Sequence, residues 1–553
     1  MSRTLRVRSL AVGAITLAMT TFAACAPPPP ADGSSTAPSA QTSGSAGGGW
    51  QGKSVTVWLA QKPDTMSPFS PGALGNGQVL TAVHDSLAAV TADGKLVPRV
   101  AESWKMSQDA KQLTINLANQ KWSDGSAFTA DDVVFSLNLY ANPKSKAPLT
   151  SVLSPIVGFA EVAGGTATTM TGVKKVDDRT VTIDLKSPDS GFTYLFLGTQ
   201  VSILPKAVLE KEDPASLQTS AIWTTPGKVP GLGPFVMSNV VTGQRVEFTR
   251  NPNFRQPVKF EKLVQSMVTQ DVATSQLASG EMDLTLVAPT DLKAVQSMNG
   301  VKTLDADSTG FDRYSVPQNK DYLKNPKVRQ GLLTAIDRKG IIASVYAGQA
   351  TPVNTSFTSP TIKTDGFATY DYDPAKAKQL LTEGGWDFNR ELVIKQANNN
   401  KQREDINAVV AKNLQAAGVK VKVVTYDNAQ GTEILTKFDY DLLLYGGGNY
   451  LVDPSLDAPI LLCANAFPKG ANLPNYCNPE LDKQMAAASA TADEAKRTEA
   501  FNAAAKIDNA DVSHLWVARP KRTYGTSSKI TGGVKPGEAI VTVLYSVQDW
   551  TVK

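Results

Sequence analysis

The sequence predicts a mixed α/β fold, and three observations lead to this prediction. Short segments in which apolar and polar residues alternate, such as 55–59 and 113–117, have the period of two that half-buried strands show. Segments with an apolar residue every three or four positions, such as 402–417, have the period of an amphipathic helix. Between about 392 and 445 the two kinds of segment follow each other in βαβ order.

Individual elements have recognisable ends. The run Thr129-Ala130-Asp131-Asp132 has the spacing of a capping box and predicts the start of a helix. Asp373-Pro374 predicts a second helix start, and Gly384 predicts the end of that helix. Further strands are predicted at 181–185 and 246–248, where the alternation resumes.

The composition is that of a folded protein with a sizeable core. Hydrophobic residues make up 42% of the 553 residues and charged residues 19%. Lys plus Arg is 55 and Asp plus Glu is 51, a balance that gives no electrostatic reason to expect a nucleic acid partner. The two histidines, His84 and His514, are too few for a multi-histidine metal site. Neither a metal nor a cofactor is expected.

The N-terminus has the features of an export signal. Three arginines precede the uncharged segment 9–24, which is shorter than the roughly 20 residues of a membrane span. A signal peptide over 1–24 is therefore predicted, with a retained anchor helix as the alternative. Phe22-Ala23-Ala24-Cys25 resembles the lipobox of bacterial lipoproteins, which implies lipidation of Cys25.

The next segment, 25–49, is rich in Pro, Ser and Gly and contains no aromatic residue, so it predicts a disordered tether. The protein is expected on the outer face of the cytoplasmic membrane, held there by its lipid. Two further cysteines, Cys463 and Cys477, lie 14 residues apart. Outside the cytosol they are expected to form a disulfide, with two reduced thiols as the alternative.

A search for catalytic motifs gives no positive result. The sequence has no G-x-S-x-G segment and no H-E-x-x-H pair, and neither Cys463 nor Cys477 has a histidine near it in sequence. An enzyme is therefore not expected. A secreted hydrolase with a carboxylate pair and a sensor lipoprotein remain as alternatives of a different class.

Eight segments carry a family resemblance through their order and spacing: Leu96–Trp104, Lys121–Val133, Gly231–Phe235, Arg250–Phe254, Gly280–Asp283, Val328–Arg338, Asp453-Pro454 and Asn478–Asp482. Together they resemble the family-5 extracellular solute-binding proteins, the oligopeptide- and dipeptide-binding subunits of ABC importers. Taken alone, most of these residues indicate turns and caps. Trp104 and Trp122 are expected in the core, and Asp337 with Arg338 is expected to form a solvated pair.

The resemblance implies a periplasmic-binding-protein type II-like, two-lobed clamshell with an inserted subdomain. Lobe I would comprise 50–84, 205–308 and 512–553, the inserted subdomain 85–204, and lobe II 309–511. The implied function is capture of a solute, with an oligopeptide expected first and an oligosaccharide second, and its delivery to ABC importer permease subunits. Apart from these partners and the lipid anchor, a monomer is expected.

The resemblance also implies where the ligand lies. In the family, the turn before the segment matching Asp453-Pro454 lines the cleft. Peptide-binding members place an Asp four residues before that Pro to hold a free α-amino group, and here Tyr450 takes that place. Binding of free-amino peptides is therefore expected to be disfavoured, and Asp453 is expected to cap the turn. The predicted ligand contacts in this segment are Tyr445, Gly446, Gly447, Asn449 and Tyr450.

The other predicted contacts are Asp64, Thr65, Phe311, Arg313, Asn398, Asn399 and Trp516. The two asparagines suit amide or hydroxyl groups, with a polar surface loop as the alternative. Trp516 offers a face for stacking. Arg313 offers a bidentate partner for a carboxylate, with an ordinary exposed arginine as the alternative.

Overall fold

The computed structural model describes residues 53–63, 65–70, 74–91, 95–199, 201–398, 400–447, 453–537 and 543–553. The predicted signal peptide, Cys25 and the tether lie outside these residues, and so do Asp64, Asn399, Asn449 and Tyr450. Within the ranges given, none of the helices has both the length and the apolar character that a membrane span requires.

Strands and helices are interleaved along the chain, which confirms the mixed α/β class. The strands are β1 Ser54–Trp58, β2 Ala88–Val90, β3 Leu96–Pro98, β4 Ala101–Met106, β5 Gln112–Leu117, β6 Val173–Asp177, β7 Thr180–Asp184, β8 Phe235–Val241, β9 Arg245–Arg250, β10 Lys262–Ser266, β11 Leu284–Val287, β12 Val301–Asp307, β13 Phe311–Ser315, β14 Ala350–Thr351, β15 Glu391–Ala397, β16 Lys420–Tyr426, β17 Leu442–Gly447, β18 Leu515–Ser527, β19 Ile530–Gly532 and β20 Thr551–Val552.

The α-helices are α1 Leu74–Val83, α2 Ala130–Ala141, α3 Thr150–Leu153, α4 Phe159–Ala163, α5 Phe192–Gly198, α6 Lys206–Leu209, α7 Gln270–Ser279, α8 Leu292–Gln296, α9 Asp321–Lys324, α10 Pro326–Thr334, α11 Arg338–Ser344, α12 Pro374–Glu383, α13 Lys401–Ala416, α14 Gly431–Lys437, α15 Pro479–Ser489 and α16 Glu494–Asp511.

The predicted helix starts are confirmed. At α2 the carboxylate of Asp132 accepts the Thr129 N–H at 3.0 Å, and the Thr129 side chain accepts in return, so the capping box is complete. At α12 the side chain of Asp373 accepts the N–H of Lys376 at 2.9 Å. Both caps satisfy backbone donors that the first turn of a helix leaves without a partner.

The prediction of a solvated Asp337–Arg338 pair is wrong. Arg338 is buried, and its guanidinium donates to the backbone carbonyls of Val353 and Tyr370. Asp337 instead caps α11, accepting the N–H of Gly340 at 2.8 Å. The chain from 353 to 370 covers this arginine. Helical spacing describes only the residues of one helix, so it cannot predict contacts with this later segment.

One mixed sheet connects most of the strands, in the order β16–β15–β17–β13–β18–β11–β1–β10–β9–β8. Strands β12 and β14 also pair with β18. A separate four-stranded antiparallel sheet has the order β4–β5–β7–β6. The strand β18 belongs to both halves of the main sheet, because its start pairs with β13 and its end with β11 and β12.

Two large apolar cores lie on either side of this connection. The first core contains residues such as Val57, Leu113 and Trp550, so the four-stranded sheet packs into the same core as β1 and the C-terminal segment. The second core contains Tyr314 and Trp516 with the apolar faces of α10, α12 and α13. Five of the candidate ligand-binding residues lie at the adjacent ends of β13 and β17, next to the second core.

Candidate ligand-binding site

Five of the predicted ligand contacts lie on the adjacent ends of β13 and β17. The two strands are antiparallel, with Phe311 opposite Gly447 and Arg313 opposite Tyr445. Residues opposite each other in such a pair point to the same face of the sheet, so these four share one face. Asp312 and Gly446 are opposite each other on the other face.

The guanidinium of Arg313 lies close to two aromatic rings. Its guanidinium carbon lies 4.5 Å from the ring centroid of Phe311 and 4.4 Å from that of Tyr445. One terminal nitrogen, Nη1, donates to the carbonyl oxygens of Gly447 at 3.0 Å and Phe311 at 3.4 Å. The residue is only 6% exposed. The side chain is therefore a planar cation fixed in orientation by stacking and by backbone acceptors.

The two glycines of β17 serve different purposes. A Cβ atom on Gly446 would collide with the carboxylate of Asp312, which accepts a hydrogen bond from the Tyr346 hydroxyl at 2.5 Å. Gly447 has φ = +144°, which favours glycine, and a Cβ atom there would meet no described atom within 4 Å. The carbonyl oxygen of Gly447 accepts the hydrogen bond that anchors Arg313.

His514 lies on the same side, with its ring centroid 6.1 Å from that of Tyr445. Burial lowers the pKa of His514 well below its usual value, and the charge of Arg313 acts in the same direction, so the imidazole is neutral. Burial raises the pKa of the Tyr445 hydroxyl. Burial also raises the pKa of Asp457 well above its usual value, although the Arg313 charge opposes this shift.

Three buried polar atoms of these residues have no hydrogen-bond partner in the part of the chain that the structure describes. They are Nε of Arg313, the hydroxyl oxygen of Tyr445 and Nε2 of His514. The side chains of Arg313 and Tyr445 are nevertheless close enough for a hydrogen bond from Arg313 to lower the pKa of Tyr445. An unpaired buried polar group costs about 1–3 kcal/mol.

The remaining predicted contacts are spread over the structure. Trp516 is opposite Arg313 across β13 and β18, fully buried, with its indole N–H donating to the Ser356 hydroxyl at 3.1 Å. It is the cross-strand neighbour of Arg313, and stacking on a ligand stays a prediction. Asn398 lies beyond the end of β15, where its side-chain amide donates to Asp427. Thr65 lines a different cavity, of about 370 Å³, beside the first core.

A larger cavity, of about 530 Å³, lies between the four-stranded sheet and α16. Trp104 and Met106 line it from β4, and Tyr194 and Phe501 line it from two helices. The expectation that Trp104 is a core residue is therefore only partly right, because the side chain is half-buried and faces this cavity. Trp122, in contrast, is buried in the first core as expected.

A second buried arginine borders that cavity. Arg497 forms two hydrogen bonds with the carboxylate of Asp453, at 3.0 and 3.1 Å, and donates through Nε to the Ser190 hydroxyl at 2.8 Å. Its guanidinium lies 5.2 Å from the ring of Tyr194 and 5.1 Å from that of Phe501. This arrangement joins the chain between β7 and α5 to the chain that follows β17.

Sequence reasoning missed His514, Asp457 and Arg497 as parts of this region. His514 was considered only as a metal ligand, and Asp457 lies in a short turn of 3-10 helix without a motif. Arg497 had a detectable signal, because it shares one face of α16 with the buried residues Phe501 and Ala504.

The described residues contain no group of three or more His, Cys, Asp or Glu side chains that could hold a metal ion. Burial lowers the pKa of His84 to about 4, so this imidazole is neutral and enclosed in the first core. Cys463 and Cys477 are joined by a disulfide bond in the structure, with their Cα atoms 4.5 Å apart.

Comparison with known proteins identifies the family of this chain. The family model for bacterial extracellular solute-binding proteins, family 5, matches residues 95–466. A peptide-binding protein of an ABC transporter from Brucella ovis is 29% identical over 445 residues, covering 78% of this chain and 80% of the relative. The periplasmic oligopeptide-binding protein OppA of Escherichia coli is 25% identical over 464 residues, covering 80% and 82%.

The structure agrees with the sequence matches. The ABC transporter substrate-binding protein CtaP of Listeria monocytogenes superposes with a TM-score of 0.77 at 26% identity, covering 91% of this chain and 99% of the other. The predicted type II periplasmic-binding-protein fold, a clamshell of two lobes, is thereby confirmed. With more than half of its length matched by the family model, the chain belongs to the bacterial extracellular solute-binding proteins of family 5.

Proposed function

We propose that this protein captures an oligopeptide outside the cytoplasm and delivers it to the permease subunits of an ABC importer. The observation that carries the proposal is the similarity to named peptide-binding relatives, which extends over about four fifths of both chains. The ends of β13 and β17 add a chemical reason. Backbone groups at Gly447, a cation and a phenol lie together there, and such groups can bind amides and carboxylates.

The proposal includes a restriction on the ligand's amino end. Asp453, the carboxylate nearest in sequence to the position of the family's amino-binding Asp, accepts the Ser455 N–H at 3.0 Å and pairs with Arg497. It caps the turn, as predicted, and its charge is already compensated. A free α-amino group would therefore lack a counter-charge from this residue, and we expect N-terminally blocked peptides to bind better than free ones.

The proposed location follows from the N-terminus. Export through the signal peptide 1–24 and lipidation of Cys25 would place the protein on the outer face of the cytoplasmic membrane. The tether 25–49 would keep it near the permease and raise its effective concentration there. The division into lobe I, an inserted subdomain and lobe II, at the boundaries given above, and a monomeric state are parts of the same proposal. No catalytic step on the ligand is required.

Isothermal titration with three ligand sets tests the proposal. The sets are free-amino peptides, N-acetylated peptides and oligosaccharides, each offered to the purified exported domain. Binding of peptides, with acetylated ones preferred, is the expected result. Binding of oligosaccharides without any peptide binding would replace the proposed substrate class, and recovery of cleaved peptides would point to a hydrolase.

A further inference from the structure

The cavity of about 530 Å³ between the four-stranded sheet and α16 is not part of the ligand site proposed above. We refer to this space as the α16 cavity. None of the predicted ligand contacts that the structure describes lines it. Its volume falls in the range of roughly 300–1,000 Å³ that small-molecule pockets have in proteins. The α16 cavity is therefore large enough to hold a ligand of its own.

The lining of the α16 cavity offers several flat apolar surfaces. Trp104 and Met106 lie two residues apart on β4, so their side chains point to the same face of the strand. Both line the cavity and are only half-buried. Tyr194 from α5 and Phe501 from α16 contribute two further rings. Because aromatic rings pack favourably against other flat groups, this lining suits a ligand that contains a ring.

The buried charges in the lining compensate each other. Asp453 accepts two hydrogen bonds from Arg497, and a carboxylate oxygen of Glu494 lies 3.7 Å from the same guanidinium. Glu494 also accepts a hydrogen bond from the Tyr194 hydroxyl at 3.3 Å. The other charged residue of the described lining, Lys95, is exposed. A charged ligand would lose water without gaining a buried counter-charge, so the cavity favours a neutral one.

One buried polar group of the lining has no partner among the described residues. Thr193 lines the cavity and is 8% exposed, and its hydroxyl oxygen forms no hydrogen bond in the described part of the chain. Proteins pair nearly all buried polar side-chain atoms, either within the chain or with another molecule. A hydroxyl can donate and accept, so an amide or a hydroxyl of a ligand would satisfy it.

The α16 cavity lies between two separately packed parts of the protein. Trp104 packs against the first core, whereas Phe501 belongs to a smaller third core built largely from α15 and α16. Ser190 joins the two parts, because its N–H donates to the carbonyl of Ser489 at 2.9 Å and its hydroxyl to that of Ala488 at 3.0 Å. A ligand in the cavity would contact both parts and stabilise their association.

We propose that the α16 cavity is a second binding site, which takes an uncharged ligand group that combines an aromatic ring with an amide or a hydroxyl. The ring would pack against Trp104, and the polar atom would bond to the hydroxyl of Thr193. The ring could belong to a separate small molecule or to a side chain of the bound peptide. Only the second source rests on the proposed function, and the test separates the two.

Titration calorimetry on the ligand-free protein tests the proposal with four small probes. N-acetylphenylalaninamide carries the neutral ring and the amides, N-acetylphenylalanine adds a carboxylate, phenylalaninamide adds a cation, and N-acetylglucosamine offers a sugar ring. We expect N-acetylphenylalaninamide to bind, and both charged analogues to bind at least about 10-fold more weakly. Tighter binding of a charged analogue, binding of the sugar alone, or no binding of any probe at millimolar concentration would each overturn the proposal.

Variants show whether the probe occupies the α16 cavity. Thr193→Val removes the hydroxyl and keeps the size of the side chain, so the affinity for N-acetylphenylalaninamide should fall about 2- to 10-fold. Trp104→Leu removes the ring and should cause a loss of similar size. Thr498→Trp fills the cavity from a half-buried position on α16 and should abolish binding. The matched control is Thr274→Val, because this buried hydroxyl donates to the Gln270 carbonyl at 3.0 Å within α7.

The variants are compared after thermal melts verify that each is folded. Probe affinities that stay at the wild-type value in Thr193→Val, Trp104→Leu and Thr498→Trp would place the probe elsewhere and contradict the proposal. Thr498→Trp keeps the test decisive if Thr193→Val or Trp104→Leu does not fold, since it removes no group from either core. A crystal structure with N-acetylphenylalaninamide bound gives a reading that depends on no variant.

Competition identifies the source of the ring. The probe is titrated into protein saturated with an N-acetylated peptide that contains an aromatic residue, and into protein saturated with one that does not. Displacement by the aromatic peptide alone would assign the ring to a peptide side chain. Binding of the probe beside both peptides would assign it to a separate molecule. If no peptide binds, the proposed function is wrong, and the titrations on the ligand-free protein still decide whether the α16 cavity is a site.

Discussion

Arg313 and Arg497 are alike in their apolar surroundings and differ in what pairs with them. Each is almost fully buried, and each lies close to two aromatic rings. Arg497 has the carboxylates of Asp453 and Glu494 and the hydroxyl of Ser190 as partners. Arg313 has backbone carbonyls, and its Nε has no acceptor among the described residues. A buried cation with all partners supplied by the chain stabilises one arrangement of the chain. A buried cation that lacks such partners lowers the stability of the fold.

The largest effect should follow from removing the partner of Arg497. Asp453→Ala leaves the buried guanidinium with only the exposed carboxylate of Glu494, 3.7 Å away, as a counter-charge. Breaking a buried pair costs about 3–5 kcal/mol. The free energy of unfolding, measured by urea denaturation, should fall by that amount. A loss below about 1 kcal/mol would show that solvent compensates Arg497 and that the contrast with Arg313 is smaller than the geometry indicates.

The disulfide stabilises the region around Arg497. Cys463 and Cys477 enclose the segment that leads into α15, and α15 packs on α16, the helix that carries Arg497. Closing a loop of this length contributes about 3 kcal/mol in the chain-entropy model. The double variant Cys463→Ser/Cys477→Ser should lose a stability of that size in urea denaturation, and the oxidised wild type is the reference. Peptide mapping without reductant that recovers two free thiols would contradict the pairing.

The stability effect of Asp457, which lies near Arg313, should depend on pH. Its pKa is raised in the folded protein, so the unfolded chain releases this proton more readily and the carboxyl destabilises the fold as pH rises. Asp457→Asn should therefore increase the free energy of unfolding at pH 7, by on the order of 1 kcal/mol. The gain should vanish below the ordinary carboxyl pKa of 3.8. A gain that is the same at pH 3 and pH 7 would exclude titration of Asp457 as its cause.

The smallest change in stability is expected for Arg313→Met. Methionine keeps an apolar side chain between the two rings and removes a charge without an ion pair, so the free energy of unfolding should change by less than about 1 kcal/mol or increase. Arg497→Met, measured in parallel, should be strongly destabilised because it leaves Asp453 unpaired. If both variants lose equal stability, Arg313 is a structural residue like Arg497.

The local sequence pattern was sufficient to predict helices and strands, but it did not predict the burial of Arg313 and Arg338. The caps at Thr129 and Asp373 are recognisable because each involves residues two or three positions apart. The family resemblance predicted that Tyr445 and Gly447 contact a ligand. For Arg313 the sequence left two alternatives, an exposed side chain or a partner for a carboxylate. Its burial depends on the pairing of β13 with β17, more than 130 residues later in the chain. The misjudged Arg338 has the same cause, since the segment that covers it is also distant in sequence.

Strand β18 also determines how the two cores can move. It is paired with β13 up to Ala518 and with β12 from Lys521, and Pro520 between them has no N–H to donate. The chain also passes from one core to the other at 308–310, between β12 and β13. We expect a rotation of one core against the other to change backbone angles in these two connections. Residues close to such connections move least during a rotation, and Arg313 lies three residues after 308–310. We expect the adjacent ends of β13 and β17 to keep their shape in open and closed forms of the protein.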